Sequence, residues 1–134
     1  MRKLHSTSEF NSQRSECLLR NFRQSLAVQS RISMARAFRD AAEAPAPRFW
    51  VSEARATHII TQILKGVDLL EGMMPQKRKM YEEILRRVKE TMAVSPSTPV
   101  GDIVFNIVNS PAPSSYMTPD RTYRLIYHYK KSLR

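Results

Sequence analysis

At 134 residues, 42% of them apolar and only three of them glycine, the chain has room for one domain of ordinary size and too few tight-turn residues for an all-β fold. Twenty-two Lys and Arg against 12 Asp and Glu leave a net charge of +10, which points to polyanions: nucleic acid first, then anionic membrane or an acidic protein. One cysteine, Cys17, excludes an internal disulfide, no apolar run reaches the length of a membrane span, and "MRKLHSTSEF" lacks the apolar core of a signal peptide, so a soluble cytoplasmic protein is expected.

Residues 1–13 are polar and are expected to form a flexible N-terminal tail. From Arg14 onward the chain repeats itself. Superposing "PAPRFWVSEAR", which begins at Pro45, on "PAPSSYMTPDR", which begins at Pro111, sets one register and aligns 14–67 with 80–133 without a gap. Upstream, "ECLLRNFRQSLAV" falls on "EEILRRVKETMAV", with identities at Glu16/Glu82, Leu19/Leu85, Arg20/Arg86, Ala27/Ala93 and Val28/Val94. Downstream, Trp50 meets Tyr116, Ser52 meets Thr118, and Arg55 meets Arg121. The pattern reads as an internal duplication: repeat one over 14–67, a connector over 68–79 and repeat two over 80–134. A chain this short has little room for two independent cores, so the repeats are expected to share one.

The expected fold is all-α, two tandem, pseudo-symmetric three-helix units. The first helix of repeat one should run from Glu16 to Gln29; in repeat two, Met80, Ile84, Leu85, Val88 and Met92 recur at helical spacing between Pro75 and "SPSTP". A second helix is expected over Ser33–Glu43 and over Pro99–Asn109, with Ser33 and Thr98 as N-caps and Pro99 in the first helical position. The alanines of "RDAAEA" allow another helix to approach closely, and the prolines of each "PAP" end the second helix. The extended pieces that follow, "RFWV" and "SSYM", have two readings: they pair as a short two-stranded β-ribbon, or they plug irregular loops with aromatic rings. Ser52 and Thr118 then cap a third helix, with Pro119 in its first position and Glu53 and Asp120 at its positive end. Its outer stripe carries Arg55, His58, Gln62 and Lys65 in repeat one and Arg121, Arg124, His128 and Lys131 in repeat two.

"FRDAAEA" followed by "VSEARATHII", and "VFNIVNS" followed by "MTPDRTYRLI", resemble the helix-turn-helix of DNA-binding proteins. The resemblance implies duplex DNA as partner, with Arg55 and Arg121 near base edges and the hydroxyls of Ser52 and Thr118 near a phosphate. Arg48, His58, Lys65, Arg124, His128 and Lys131 would then hold the backbone, the two repeats serving adjacent half-sites or gripping one groove. One departure stands out: "PAPRFW" fills the place of a three- or four-residue turn, and the glycine common in such turns is missing. The chain also resembles small basic duplicated proteins of bacterial accessory or phage regions, through its two "PAP-x-x-aromatic" segments and "MMPQKRKMYEEI"; this implies a mobile-element setting and no mechanism.

Two further basic stretches read either way. Lys77, Arg78 and Lys79 of "PQKRK" either track phosphates or belong to a solvated linker. In "TYRLIYHY", Tyr123, Tyr127 and Tyr129 interleave with Arg124, His128 and Lys130 and have two readings: they stack on the bases of a single strand, or they pack in the core or at a partner interface, with Tyr129 toward the core side and Tyr123 and Tyr127 toward its flanks. His5, His58 and His128 are widely separated, and no metal spacing, nucleophile with its base, or glycine-rich phosphate loop is present, so no catalytic residue, metal or cofactor is expected. Cys17 aligns with Glu83, which places it on a helix surface. The expected function is non-enzymatic nucleic-acid binding. The alternative is a structural or adaptor protein of a phage particle or larger complex, meeting an acidic protein through Trp50, Tyr116 and Tyr123.

Overall fold

The structure, a computed structural model, describes residues 7–133. Among these the chain is all-helical, with α1 (Thr7–Val28), α2 (Met34–Glu43), α3 (Glu53–Leu64), α4 (Pro75–Val94), α5 (Val100–Val108) and α6 (Pro119–Ser132). Boundaries keep the register of the repeat: α1 and α4 end at the aligned Val28 and Val94, α2 and α5 start at the aligned Met34 and Val100, and α3 and α6 at the aligned Glu53 and Pro119. Local capping explains most of them. The hydroxyls of Ser33, Ser52 and Thr118 each accept the backbone N–H three residues on, at 3.2 Å.

Three boundaries differ from expectation. Helix α1 starts at Thr7 rather than near Glu16, because Phe10 is buried and the Arg48 guanidinium lies over its ring at 5.2 Å. The tail expected over 1–13 is thus helical from Thr7; positions 1–6 lie outside the described residues. Helix α4 starts at Pro75, inside the stretch expected as a connector. Pro99 is the N-cap of α5, in place of Thr98, since its fixed φ of −58° is compatible with the extended cap conformation (ψ 141°).

Helix pairing is where the chain departs most from consecutive three-helix units. Helix α6 packs on α1 and α2, while α3 packs on α4 and α5, so each bundle takes its third helix from the other half. One apolar cluster gathers Phe49, Ile60, Tyr81, Ile84, Val88, Ile103 and Val104; the second gathers Leu18, Leu19, Phe22, Ala37, Ala41, Met117 and Ile126. The alanines of α2 accept close neighbours, as their small size allows. Cys17, expected on a surface, is buried, and its sulfur accepts from the Asn21 amide at 3.6 Å.

The connectors force this exchange. After α2 the backbone leaves in extended form (Ala44 ψ 150°), and two prolines in "PAP" keep it from folding back within a few residues. The two connectors cross. Ala46 and Ala112 exchange both backbone hydrogen bonds at 2.9 Å, a single antiparallel bridge standing where a ribbon of "RFWV" with "SSYM" was one of two readings. On either side, the Phe49 amide donates to the Val108 carbonyl (3.0 Å) and the Ser115 amide to the Ala42 carbonyl (2.9 Å), two bonds related by the register of the repeat. The Trp50 indole N–H donates to the Ser115 hydroxyl at 3.1 Å, tying one connector to the other.

On the outer face of α4, Glu83 accepts from Arg86 and from Arg87 at 2.7 Å, and Arg86 also donates to Glu90 at 2.7 Å. The Arg86 hydrogen bond, with that of Arg87, holds the Glu83 carboxyl below its ordinary value against a smaller opposing effect of burial. A depressed carboxyl stabilises the fold fully above its unfolded pKa, about 4.3, and ceases to do so as pH falls through the lower folded value. Glu83→Gln is therefore expected to flatten the loss of thermal stability between about pH 5 and pH 2, read by circular dichroism melts across that range. An unchanged acid limb would remove this network from the account of acid stability.

Candidate functional site

The exchange brings the start of α3 and the start of α6 to one place. A cleft of about 430 Å³ opens there, and four pairs of residues aligned by the repeat line it: Arg14 with Met80, Trp50 with Tyr116, Val51 with Met117, and Arg55 with Arg121. It therefore lies where the two halves meet. Lys77 and Arg124 complete a set of five cations around an apolar and aromatic floor. The first turns of α3, α4 and α6 contribute Arg55, Gln76, Lys77 and Arg121, so three positive helix ends border the same space.

Charge in the cleft is poorly compensated. Arg124 pairs with Asp120 at 2.9 Å, but among the described residues Arg14, Arg55, Lys77 and Arg121 have no carboxylate partner. Burial, and then the neighbouring charge of Arg121, pull the Arg14 guanidinium below its ordinary value, and its Nε is buried without a hydrogen-bond partner. Tyr81 is 0% exposed and its hydroxyl makes no hydrogen bond; burial pushes its ionisation up, against the opposing charge of Arg55. Tyr116 stands in the left-handed region (φ 52°), a conformation costly for a bulky side chain, with its amide donating to the Ser114 hydroxyl at 2.8 Å and its ring stacked on Phe49. Burial, then the charge of Glu83, push its phenol up.

Five of the residues expected at a nucleic acid line this cleft, Arg55, Lys77, Thr118, Arg121 and Arg124, together with Trp50 and Tyr116 of the alternative protein surface. His58 and Lys65 continue outward along α3, and His128 and Lys131 along α6, all exposed. Ser52 and Thr118 use their hydroxyls as caps.

Two expected phosphate contacts are corrected. Arg48 is 5% exposed; its guanidinium donates to the carbonyls of Phe49 at 2.9 Å and Val51 at 2.6 Å and lies 3.9 Å from Glu53, so it braces the connector from inside. Arg78 donates to the carbonyls of Leu70 and Glu71 at 3.0 Å and Met73 at 3.3 Å, closing the loop ahead of α4. Because "PQKRK" is helical, Lys77, Arg78 and Lys79 fan around the axis, and only Lys77 reaches the cleft.

The helix-turn-helix pairing is also corrected: α2 and α3 do not pack on each other, because the extended connector between them carries α3 to the other bundle. Nor do Trp50, Tyr116 and Tyr123 gather in one exposed patch. Trp50 is buried, Tyr116 lies on Phe49, and Tyr123 sits edge-on to Phe38 and beside Tyr127.

No protein-family model, curated protein or solved structure matches the chain. The chemistry of the cleft stands on its own geometry. Among the described residues no group of three His, Cys, Asp or Glu gathers to hold a metal, and no helix is long and apolar enough to cross a membrane. A second hollow, of about 380 Å³, mixes Glu16 with Arg20 and Arg48 and so carries acid and base together.

Sequence reasoning missed Arg14 and Tyr81. For Arg14 a signal exists: it occupies the repeat position of the buried Met80, a charge where the other copy has core. Tyr81 stands opposite Ser15 and carries no comparable mark.

Proposed function

We propose that the chain is a non-enzymatic nucleic-acid-binding protein, with duplex DNA the favoured form, and that the cationic cleft is the centre of its contact surface. The observation that carries this reading is the convergence of Arg14, Arg55, Lys77, Arg121 and Arg124 on one cleft in which four of the five have no carboxylate partner among the described residues. Uncompensated cations held close together repel one another, and a phosphate between them removes that penalty.

From the cleft, the exposed cations of α3 and α6 run outward over 12 and 14 helical residues, roughly 18 and 21 Å at 1.5 Å per residue. Backbone phosphates recur about every 3.4 Å along one strand, so each stripe is long enough to meet several. This surface grips one stretch of nucleic acid from both halves. The alternative, an acidic protein held by Trp50, Tyr116 and Tyr123, has no equivalent observation behind it.

Fluorescence anisotropy with an internally labelled random duplex and its single strand, titrated at several salt concentrations, tests the reading. Binding that weakens steeply with salt and favours the duplex is expected. No binding to either at low salt, despite a net charge of +10, would sink it.

A further inference from the structure

An aromatic row runs through one bundle and has no aligned counterpart in the other. Phe22 stacks on Phe38 with ring centres 4.6 Å apart, Phe38 meets Tyr123 edge to face at 5.2 Å, and Tyr123 stacks on Tyr127 at 6.2 Å. The row starts in the core, where Phe22 is buried, and ends on the surface, where Tyr123 is 47% and Tyr127 51% exposed. At the positions aligned by the repeat, the other bundle has Val88, Val104, Thr57 and Thr61. Valines and threonines therefore meet the packing needs of this arrangement, and the two outer rings are not required by the fold. Tyr123 and Tyr127 do not line the cleft; they stand on an adjoining face of α6, the helix whose start brings Arg121 and Arg124 into it.

The neighbours of these rings indicate what covers them. Residues three and four apart are adjacent on a helix, so Tyr127 has Arg124, Lys130 and Lys131 around it, and the Lys131 ammonium lies 5.7 Å from its ring centre. Helix α6 carries four Lys and Arg against one acid, Asp120, which Arg124 occupies. A protein partner docks on an apolar centre depleted of charge, with charges at its rim. Here the cations stand among the rings, an arrangement that suits a strand whose bases stack while its phosphates are held. We infer that this face of α6 is a platform for unpaired bases, taking the single strand that continues from a duplex held at the cleft. A base stacks on the ring pair of Tyr123 and Tyr127, and the phosphates beside it meet Lys130 and Lys131, neither of which lines the cleft. Only an unpaired base serves, because inside a duplex its faces are covered by neighbouring base pairs. This rests on the nucleic-acid reading above and adds a form of ligand to it, the junction of duplex with single strand. Both halves contribute cations, and only α6 contributes this exposed pair of rings.

Three internally labelled ligands share one duplex: blunt at both ends, with thymidine overhangs of about six nucleotides, and with abasic overhangs of the same length, which have the phosphates without the bases. Each is titrated against the full chain and its Tyr127→Ala and Tyr127→Phe variants, with melting curves to check that the variants fold. The parent should bind the thymidine overhang about tenfold tighter than the abasic one, the effect of one stacked base. Tyr127→Ala should erase most of that difference, and Tyr127→Phe, which keeps the ring, should retain it. A joint Tyr123→Thr and Tyr127→Thr variant gives α6 the residues of α3 and should behave as Tyr127→Ala. Equal binding of the two overhangs by the parent overturns the inference and, where the blunt duplex binds, leaves the cleft reading standing; this comparison needs no variant. A difference that survives both Tyr127→Ala and the joint variant overturns it as well, because the bases are then held elsewhere. If the blunt duplex fails to bind while the thymidine overhang binds through Tyr127, the platform holds and the duplex reading falls. If no ligand binds, both fall and the rings are left to a protein partner.

Discussion

Reversing Arg55 and Arg121 together to glutamate should weaken nucleic-acid binding by roughly a hundredfold or more at low salt and reduce the slope of log affinity against log salt by about two. Both side chains are exposed, lie in the first turn of their helices and line the same cleft, so each reversal places a carboxylate where a phosphate is expected. The new acids would pair with Arg14 and Lys77 and fill the seat from within. Neither side chain supports the fold, because their backbone amides, not their guanidinium groups, meet the capping hydroxyls of Ser52 and Thr118. The control is Arg23→Glu with Lys89→Glu, another exposed pair aligned by the repeat, which changes net charge by the same amount away from the cleft. If both double variants lost affinity equally, binding would follow overall charge and the cleft would have no special part.

The second large effect concerns stability. Replacing Glu53 by alanine should cost about 3–5 kcal/mol, because it removes a buried carboxylate that faces the Arg48 guanidinium and accepts from the Asn109 amide. Glu53 is 2% exposed, accepts from the Asn109 amide at 3.1 Å and lies 3.9 Å from Arg48, whose guanidinium is held by two connector carbonyls. For a domain of this size such a loss lowers the melting temperature by roughly 10–20 °C, readable by circular dichroism. Arg48→Met combined with Glu53→Gln should recover part of the loss, since the buried guanidinium and its facing carboxylate are then removed together. A drop of only a few degrees for Glu53→Ala would show that water reaches the pair and that the connector is braced by other contacts.

Helix ends were legible in the sequence because their causes are local. Ser33, Ser52 and Thr118 cap the helices they precede, and Pro119 opens α6. The start of α1 was not, because Phe10 is set in a mostly polar stretch and the groups that bury it, Arg48 among them, lie far along the chain. Helix partnership was illegible for a deeper reason. When two halves share one apolar pattern, the third helix of either half fits the helix pair of both, so patterning does not distinguish a self-contained unit from an exchanged one. The stiffness of "PAP" decides it, and that is a property of the connector rather than of any apolar stripe. Arg48 and Arg78 misled for a related reason: a cation just after a proline segment or in a basic run looks solvent-bound until the carbonyls that receive it are placed. Arg55 and Arg121 were recognisable as a matched pair, yet only the crossing of the connectors puts them in one cleft.

The exchanged helices also set an order of events during translation. Helices α1 and α2 leave the ribosome early, but the surface that covers Leu18, Phe22 and Ala41 belongs to α6, which is synthesised only after α3, α4 and α5. Until then that apolar face has no lasting cover, and contacts this distant in sequence close slowly. The nascent N-terminal half is thus the stage of this protein's life most exposed to aggregation, and the one at which a chaperone has most to hold.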